Sequence, residues 1–198
     1  RALEADELPG VADQFQRGAQ RAKDAGFDGV EIHGANGYLL DQFLRTGTNT
    51  RTDDFGGSLE NRLRFSMMVV EAVLDVWSPG RVGYRISPLG KFNAMNDDDP
   101  LETFAALAEA LSAYNLAYLH GVEAFAGQER DEDFFKALRP HFKNTYIANG
   151  AFTGDLARET ITGGRADAVA FGELFIANPD LPERLRIGAE LNEPDKNT

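Results

Sequence analysis

Short apolar runs alternate along this chain with longer amphipathic stretches, and this alternation restricts the fold more than any other sequence feature. Strand-length segments separated by helix-length ones do not pair as hairpins. They need crossovers, and therefore a parallel sheet covered by helices. The first helix opens at Leu8-Pro9-Gly10 and carries Val11, Phe15, Ala19 and Ala22 at helical spacing, with Gly26 where a C′ residue ends it. A strand over 27–32 follows, then a Gly- and Asn-rich loop over 34–57. Ser58 is placed to cap a helix over 59–77, which Ser78-Pro79-Gly80 stops. A second strand covers 81–86. Asp99, Pro100 and Glu102 stand at N-cap, N1 and N3 of the next helix, an acidic form of the capping box. Strands over 116–120, 145–147 and 168–171 then alternate with helices over 133–138, 154–162 and 181–186.

This pattern gives five βα units. A closed (β/α)8 barrel needs eight strands and typically ~250 residues, whereas an open doubly wound sheet needs fewer. A chain of 198 residues is therefore either an open five-stranded α/β protein or part of a barrel, read as one domain throughout because no linker composition divides it.

Composition removes whole classes of function. Hydrophobic residues make up 42% of the chain, 14 of them Phe, which is enough for a packed core. Acidic side chains outnumber basic ones 32 to 20, a net charge of −12, which disfavours nucleic acid as a partner because that binding depends on Lys and Arg neutralising phosphates. No apolar run reaches the ~20 residues of a membrane span, and residues 1–7 hold no apolar signal core. A cytoplasmic, membrane-free protein is expected. Zero cysteines exclude a disulfide, a thiolate nucleophile and a cysteine-ligated metal, and no other metal cluster is expected.

The first strand runs into Glu31-Ile32-His33 and then Gly34-Ala35-Asn36-Gly37-Tyr38. In parallel α/β folds the C-terminal strand ends and their loops carry the chemistry. His33 and Asn36 could aim hydrogen-bond donors at one acceptor, such as a carbonyl oxygen. Tyr38, with a reference pKa near 10, is a weak acid suited to a strongly basic carbon. A purely structural reading stays open beside this one, with His33 closing the strand and Tyr38 packing on its loop.

The run His33-Gly-Ala-Asn-Gly-Tyr-Leu-Leu-Asp-Gln-Phe-Leu44, with Asn49-Thr-Arg-Thr-Asp-Asp-Phe-Gly-Gly-Ser-Leu-Glu-Asn-Arg62, closely resembles the old yellow enzyme family of flavin ene-reductases. The resemblance continues through Val82-Gly-Tyr-Arg-Ile-Ser-Pro88, Leu116-Ala-Tyr-Leu-His120, Ile147-Ala-Asn-Gly150 and Phe175-Ile-Ala-Asn-Pro-Asp-Leu181, nearly the whole chain in order. It implies a (β/α)8 barrel of which this chain holds about five units, matching the fourth to eighth strands, with FMN at the strand C-termini and NADPH or NADH as hydride donor. By the same resemblance His33 and Asn36 hold the oxygen of an enone or nitro substrate, and Tyr38 protonates its α-carbon. Arg85 is expected against the flavin, the alternative being a salt bridge to a strand-end carboxylate. Asn149, Gly150, Ala151, Gly172 and Glu173 are expected around the cofactor, with backbone N–H groups of the last four facing its phosphate.

Two positions depart from the family pattern: Ala151 stands where glycine is commoner, and Glu173 where arginine is common. A carboxylate there repels a phosphate, although an acid in the first turn of a helix suits the macrodipole. The unmatched first three strands and the distal aromatic segment lead to the expectation of a fragment, a partner supplying the other units, or a homo-oligomer. An inert flavin-barrel remnant is the alternative function. Arg51, Asp53, Asp54, Glu60 and Arg62 read as ion pairing, His120 as a possible cup residue, His141 as surface and Trp77 as packing. The loop over 121–133 is expected to tune substrate choice.

Overall fold

The computed structural model describes residues 1–125 and 127–195; the sequence-predicted substrate loop over 121–133 contains Ala126, which lies outside the described residues. Five strands, β1 (Val30–His33), β2 (Val82–Ile86), β3 (Tyr118–Val122), β4 (Thr145–Asn149) and β5 (Ala168–Ala170), form one sheet in the order β1-β2-β3-β4-β5. Every pairing is parallel. Doubly wound sheets reverse their strand order at a switch point. Here the order never reverses, so successive right-handed crossovers lay the helices on one face, as in a sector of a (β/α)8 barrel.

The helices are α1 (Leu8–Asp24), α2 (Leu39–Leu44), α3 (Leu59–Leu74), α4 (Pro100–Ala113), α5 (Glu132–Leu138), α6 (Gly154–Thr162), α7 (Glu173–Ala177) and α8 (Leu181–Ile187). None of them is long and apolar enough to cross a membrane. Register fixes what each face does. Ile32, Tyr84, Leu119 and Tyr146 are aligned across four strands, and all four are buried in the cluster they share with Leu8 of α1, Phe65 and Val69 of α3, Phe104 and Leu107 of α4 and Phe135 of α5. The opposite parity aligns His33, Arg85, His120 and Ile147, with Glu31 and Tyr118 one pleat below. Apolar side chains therefore face the helices, and polar ones face what is the interior of a barrel.

Element ends follow local chemistry, and several differ from the sequence expectation. Gly26 (φ 84°) closes α1 as expected, but the amide of Phe27 bonds the Ala22 carbonyl at 3.1 Å and that of Gly26 bonds Lys23 at 3.0 Å. This Schellman pairing holds Phe27 at the helix end, so β1 starts at Val30 rather than at 27. Helix α3 stops at Leu74 instead of 77, while Trp77 packs as expected, buried with its indole N–H on the Ala19 carbonyl at 3.0 Å. The caps hold: Ser58 accepts from the Asn61 amide and Asp99 from the Glu102 amide. Strand β3 lies two residues later than expected and β4 extends to Asn149. The loop over 34–57 contains α2, which was not anticipated, and α7 begins at Glu173, the residue read as standing in the first turn of a helix; both are shorter than two turns, too short for periodicity to resolve.

Candidate active site

The C-terminal ends of β1, β2 and β4 and the loops after β1, β4 and β5 meet at one rim. His33 is the last residue of β1, and its ring centroid lies 5.4 Å from that of Tyr38, at a 55° tilt. Burial, then the nearby Arg85 cation, lowers the His33 pKa below its ordinary 6.5, so the imidazole is neutral at pH 7. Tyr38 is half exposed, between β1 and α2. Asn36 sits between them at φ 58° and Gly37 follows at φ 71°. A Cβ on Gly37 would lie 2.8 Å from the Phe92 carbonyl oxygen and 2.8 Å from Asn93 Cβ, so only glycine fits that turn.

Asn36 and Arg85 line a cavity of about 320 Å³ together with Asn149, Gly150, Ala151, Phe171, Gly172 and Glu173. The fold thus brings together the residues predicted around the cofactor, with one clamp residue on the same wall. Arg85 donates to Asn149 Oδ1 at 3.1 Å, and Asn149 Nδ2 donates to the Ala170 carbonyl at 2.9 Å. The salt bridge considered for Arg85 does not form among the described residues: its Nε is buried without a partner, as is Asn36 Oδ1. A half-buried guanidinium without a carboxylate favours an anionic or electron-rich occupant. Gly150 (φ 105°) passes so close to Ala124 that a Cβ would stand 2.0 Å from its carbonyl oxygen, and Ala151 follows in the left-handed region at φ 51°. Glu173 is the first residue of α7, exposed at the cavity rim, where water weakens its repulsion of an anion. A guanidinium with a buried, unpartnered Nε on one wall and tightly turned backbone on the other fit FMN.

Sequence reasoning missed three groups beneath this rim. Glu31 meets His120 Nδ1 at 2.9 Å; burial opposes its ionisation, but the His120 and Tyr118 hydrogen bonds and the Arg85 charge lower its pKa overall. His120 is therefore held by a hydrogen bond to Glu31 rather than free in the cup. Burial, reinforced by Glu31, pushes the Tyr118 hydroxyl up to about 12. Behind the Gly150 loop, Arg130 donates to the Gly150 carbonyl at 2.6 Å, stacks 3.8 Å from the Phe152 ring centroid and pairs with Glu123 at 2.9 Å. Glu123, its pKa raised by burial, accepts from Tyr146 at 3.0 Å. The third group, Asp41 with Arg45 and Ser87, lies under the Asn36 turn. These partners are 4 to 89 residues apart, and only the four-residue spacing of Asp41 and Arg45 left a sequence signal.

The expected ion-pairing group divides. Arg51 pairs with Asp53 at 2.5 Å and Glu60 with Arg64 at 3.7 Å. Asp54 offers its carbonyl to Arg64. Arg62 corrects the expectation: it is buried and donates to the Leu44 carbonyl and to Thr103 Oγ1, because α3 turns it toward α2 and α4 rather than to solvent. His141 is half-buried and meets Glu109 at 2.7 Å.

A parallel sheet in unbroken strand order, with a His–Asn–Tyr turn and a cavity lined by Arg85 at its C-terminal rim, defines a βα-barrel protein. Residues 1–192 match the model of the NADH:flavin oxidoreductase / NADH oxidase family, and the chain belongs to that family. It is 41% identical over 202 residues to 12-oxophytodienoate reductase 2 of Arabidopsis thaliana, covering all of this chain and 54% of that protein. Among solved structures it is similar to morphinone reductase, with 48% identity and a TM-score of 0.96 over all of this chain and 54% of that one. An old yellow enzyme homologue from Zymomonas mobilis gives 37% identity and a TM-score of 0.94, over 57% of that chain. The chain spans about half the length of the curated relatives it matches. The old yellow enzyme resemblance and the incomplete (β/α)8 barrel are both shown.

Proposed function

We propose that this chain carries the substrate-binding and proton-donating side of an FMN-dependent ene-reductase, driven by NADPH or NADH and acting on small α,β-unsaturated carbonyl or nitro compounds. The observation that supports it most is the His33–Tyr38 ring contact at 5.4 Å, beside a cavity in which Arg85 Nε and Asn36 Oδ1 are buried without partners among the described residues. Arg85 and Asn149 would hold the flavin ring, and the backbone at Gly150, Ala151, Gly172 and Glu173 its phosphate. When bound, FMN supplies hydride transfer from NAD(P)H to the β-carbon of the alkene.

The chain's own residues do the rest. His33, neutral because burial disfavours its cation, donates one N–H to the substrate oxygen, and the Asn36 amide donates another. Two donors fixed at the oxygen stabilise negative charge as it develops there. The Tyr38 hydroxyl gives its proton to the α-carbon, completing addition of one hydride and one proton across the double bond. At 53% exposure, Tyr38 recovers a proton from water.

Reconstitution tests this reading. The purified protein is expected to bind FMN near one to one and turn yellow, to bleach with NADPH or NADH, and to regain colour with 2-cyclohexenone. A colourless protein that FMN does not reconstitute overturns it in favour of an inert flavin-barrel remnant.

A further inference from the structure

The turn that presents Asn36 and Tyr38 is held from behind by side chains that touch no candidate ligand position. Asp41 of α2 and Arg45, the residue that ends it four positions on, are buried to 0% and 2% exposure and paired at 2.7 Å. Burying such a pair costs desolvation that its attraction offsets only when the remaining polar atoms are also bonded. Here they are bonded, and to particular places. Asp41 Oδ2 accepts the Gly37 amide at 2.9 Å and the Ser87 hydroxyl at 3.4 Å. Ser87 Oγ, fully buried just after β2, in turn accepts the Asn36 amide at 2.7 Å. Arg45 donates to the carbonyls of Pro88 at 2.9 Å, Gly90 at 3.3 Å and Ser87. Asn36 is a non-glycine residue at positive φ, a conformation that persists only where its surroundings over-determine it. Each of the two consecutive left-handed residues has its amide satisfied by a different buried side chain, one from α2 and one from the end of β2.

We propose that Asp41 and Ser87 are positioning residues, acting through the backbone amides of Gly37 and Asn36 to aim the Asn36 side chain and the Tyr38 hydroxyl, while Arg45 neutralises and orients Asp41. This rests on the ene-reductase reading and deepens it. It makes the loop after β2 a support of the substrate site, because α2 and that loop are cross-linked through Arg45.

The test uses the flavin-loaded protein and cyclohexanone, a saturated ketone that binds without turnover. Ser87→Ala removes the acceptor of the Asn36 amide and leaves the Asp41–Arg45 pair intact. It is expected to weaken cyclohexanone binding about tenfold, the scale of one lost orienting hydrogen bond, with the FMN dissociation constant unchanged. Ser87→Thr keeps the γ-oxygen and is expected to restore ketone affinity, a rescue that packing alone does not give. Asp41→Leu combined with Arg45→Met removes both charges at similar volume, so no orphan charge remains, and is expected to reproduce the selective ketone loss. Ketone affinity unchanged in Ser87→Ala and in the double variant, or lost in proportion to FMN affinity in both, overturns the positioning role. Asn36→Ala separates the two readings. If it too leaves ketone binding unchanged, the ene-reductase reading falls and this proposal with it; if it weakens ketone binding while Ser87→Ala and the double variant do not, the positioning role alone falls.

Discussion

Tyr38 combines two properties that a proton donor needs: contact with the clamp and contact with water. Its ring meets His33 at 5.4 Å, and half of its surface is exposed. Tyr38→Phe keeps the ring and removes the proton. Alkene-driven reoxidation of the flavin is expected to slow about a hundredfold or more, with flavin reduction by NADPH left intact, as followed by stopped-flow absorbance. Equal loss in both half-reactions marks Tyr38 as structural. His33 carries a pH signature as well. Its folded pKa lies below 6.5, so the unfolded chain binds a proton that the folded one refuses. The stability this contributes is present above pH 6.5 and is lost as pH falls toward the folded pKa. An imidazole resonance assigned to His33 by its absence in His33→Gln is expected to titrate below pH 6.5; a midpoint above that value contradicts the burial argument. The candidates at this scale were legible because glycines bracket them in one loop. Their supports were not. Glu31 reaches His120 across 89 residues, and Asp41, which holds the turn, is an ordinary acid in a polar-looking stretch.

Among the elements, those with chemical punctuation were readable and those without were not. Ser58, Asp99 and Gly26 mark ends that stand where their side chains or φ values require. Helix α2 has no such mark: Tyr38 at its N-cap makes no side-chain cap bond, and its six residues include the buried Asp41, four residues before Arg45. Strand ends depend on register with neighbours, so β3 moved two residues from its expected place. The loop after β4 offers a test at this scale. Gly150→Ala places a methyl 2.0 Å from the Ala124 carbonyl at φ 105°, which costs at least about 1–3 kcal/mol of backbone strain before the clash is counted. A melting temperature lower by about 4 °C or more is expected, together with weaker FMN binding in a fluorescence titration. A variant as stable as the parent, with the same FMN affinity, removes this loop from the cofactor site.

The whole molecule leaves β1 and β5 each with one unpaired edge among the described residues. Beside β1 an apolar groove of about 510 Å³ runs between Phe15 of α1, Val30 and Leu39, and Phe175, Ile176 and Ile187 are exposed near the chain's other end. Open parallel edges and bare apolar surface seek partners. The 198-residue polypeptide by itself is therefore expected to self-associate in size-exclusion chromatography or to melt non-cooperatively by circular dichroism. A compact, cooperatively melting monomer contradicts this.

The alternation of strand-length and helix-length segments, with its capping residues, determined from the sequence alone that the chain forms parallel βα units, and one dense loop motif located the candidate site. The tertiary structure decided that the strands run in unbroken order, that Arg85 forms no salt bridge among the described residues, and that Asp41 and Ser87 hold the Asn36 turn. Periodicity is a property of neighbours along the chain. Charge pairing is a property of neighbours across a sheet, where crossovers set His33, Arg85 and His120 side by side from segments that share no local signal.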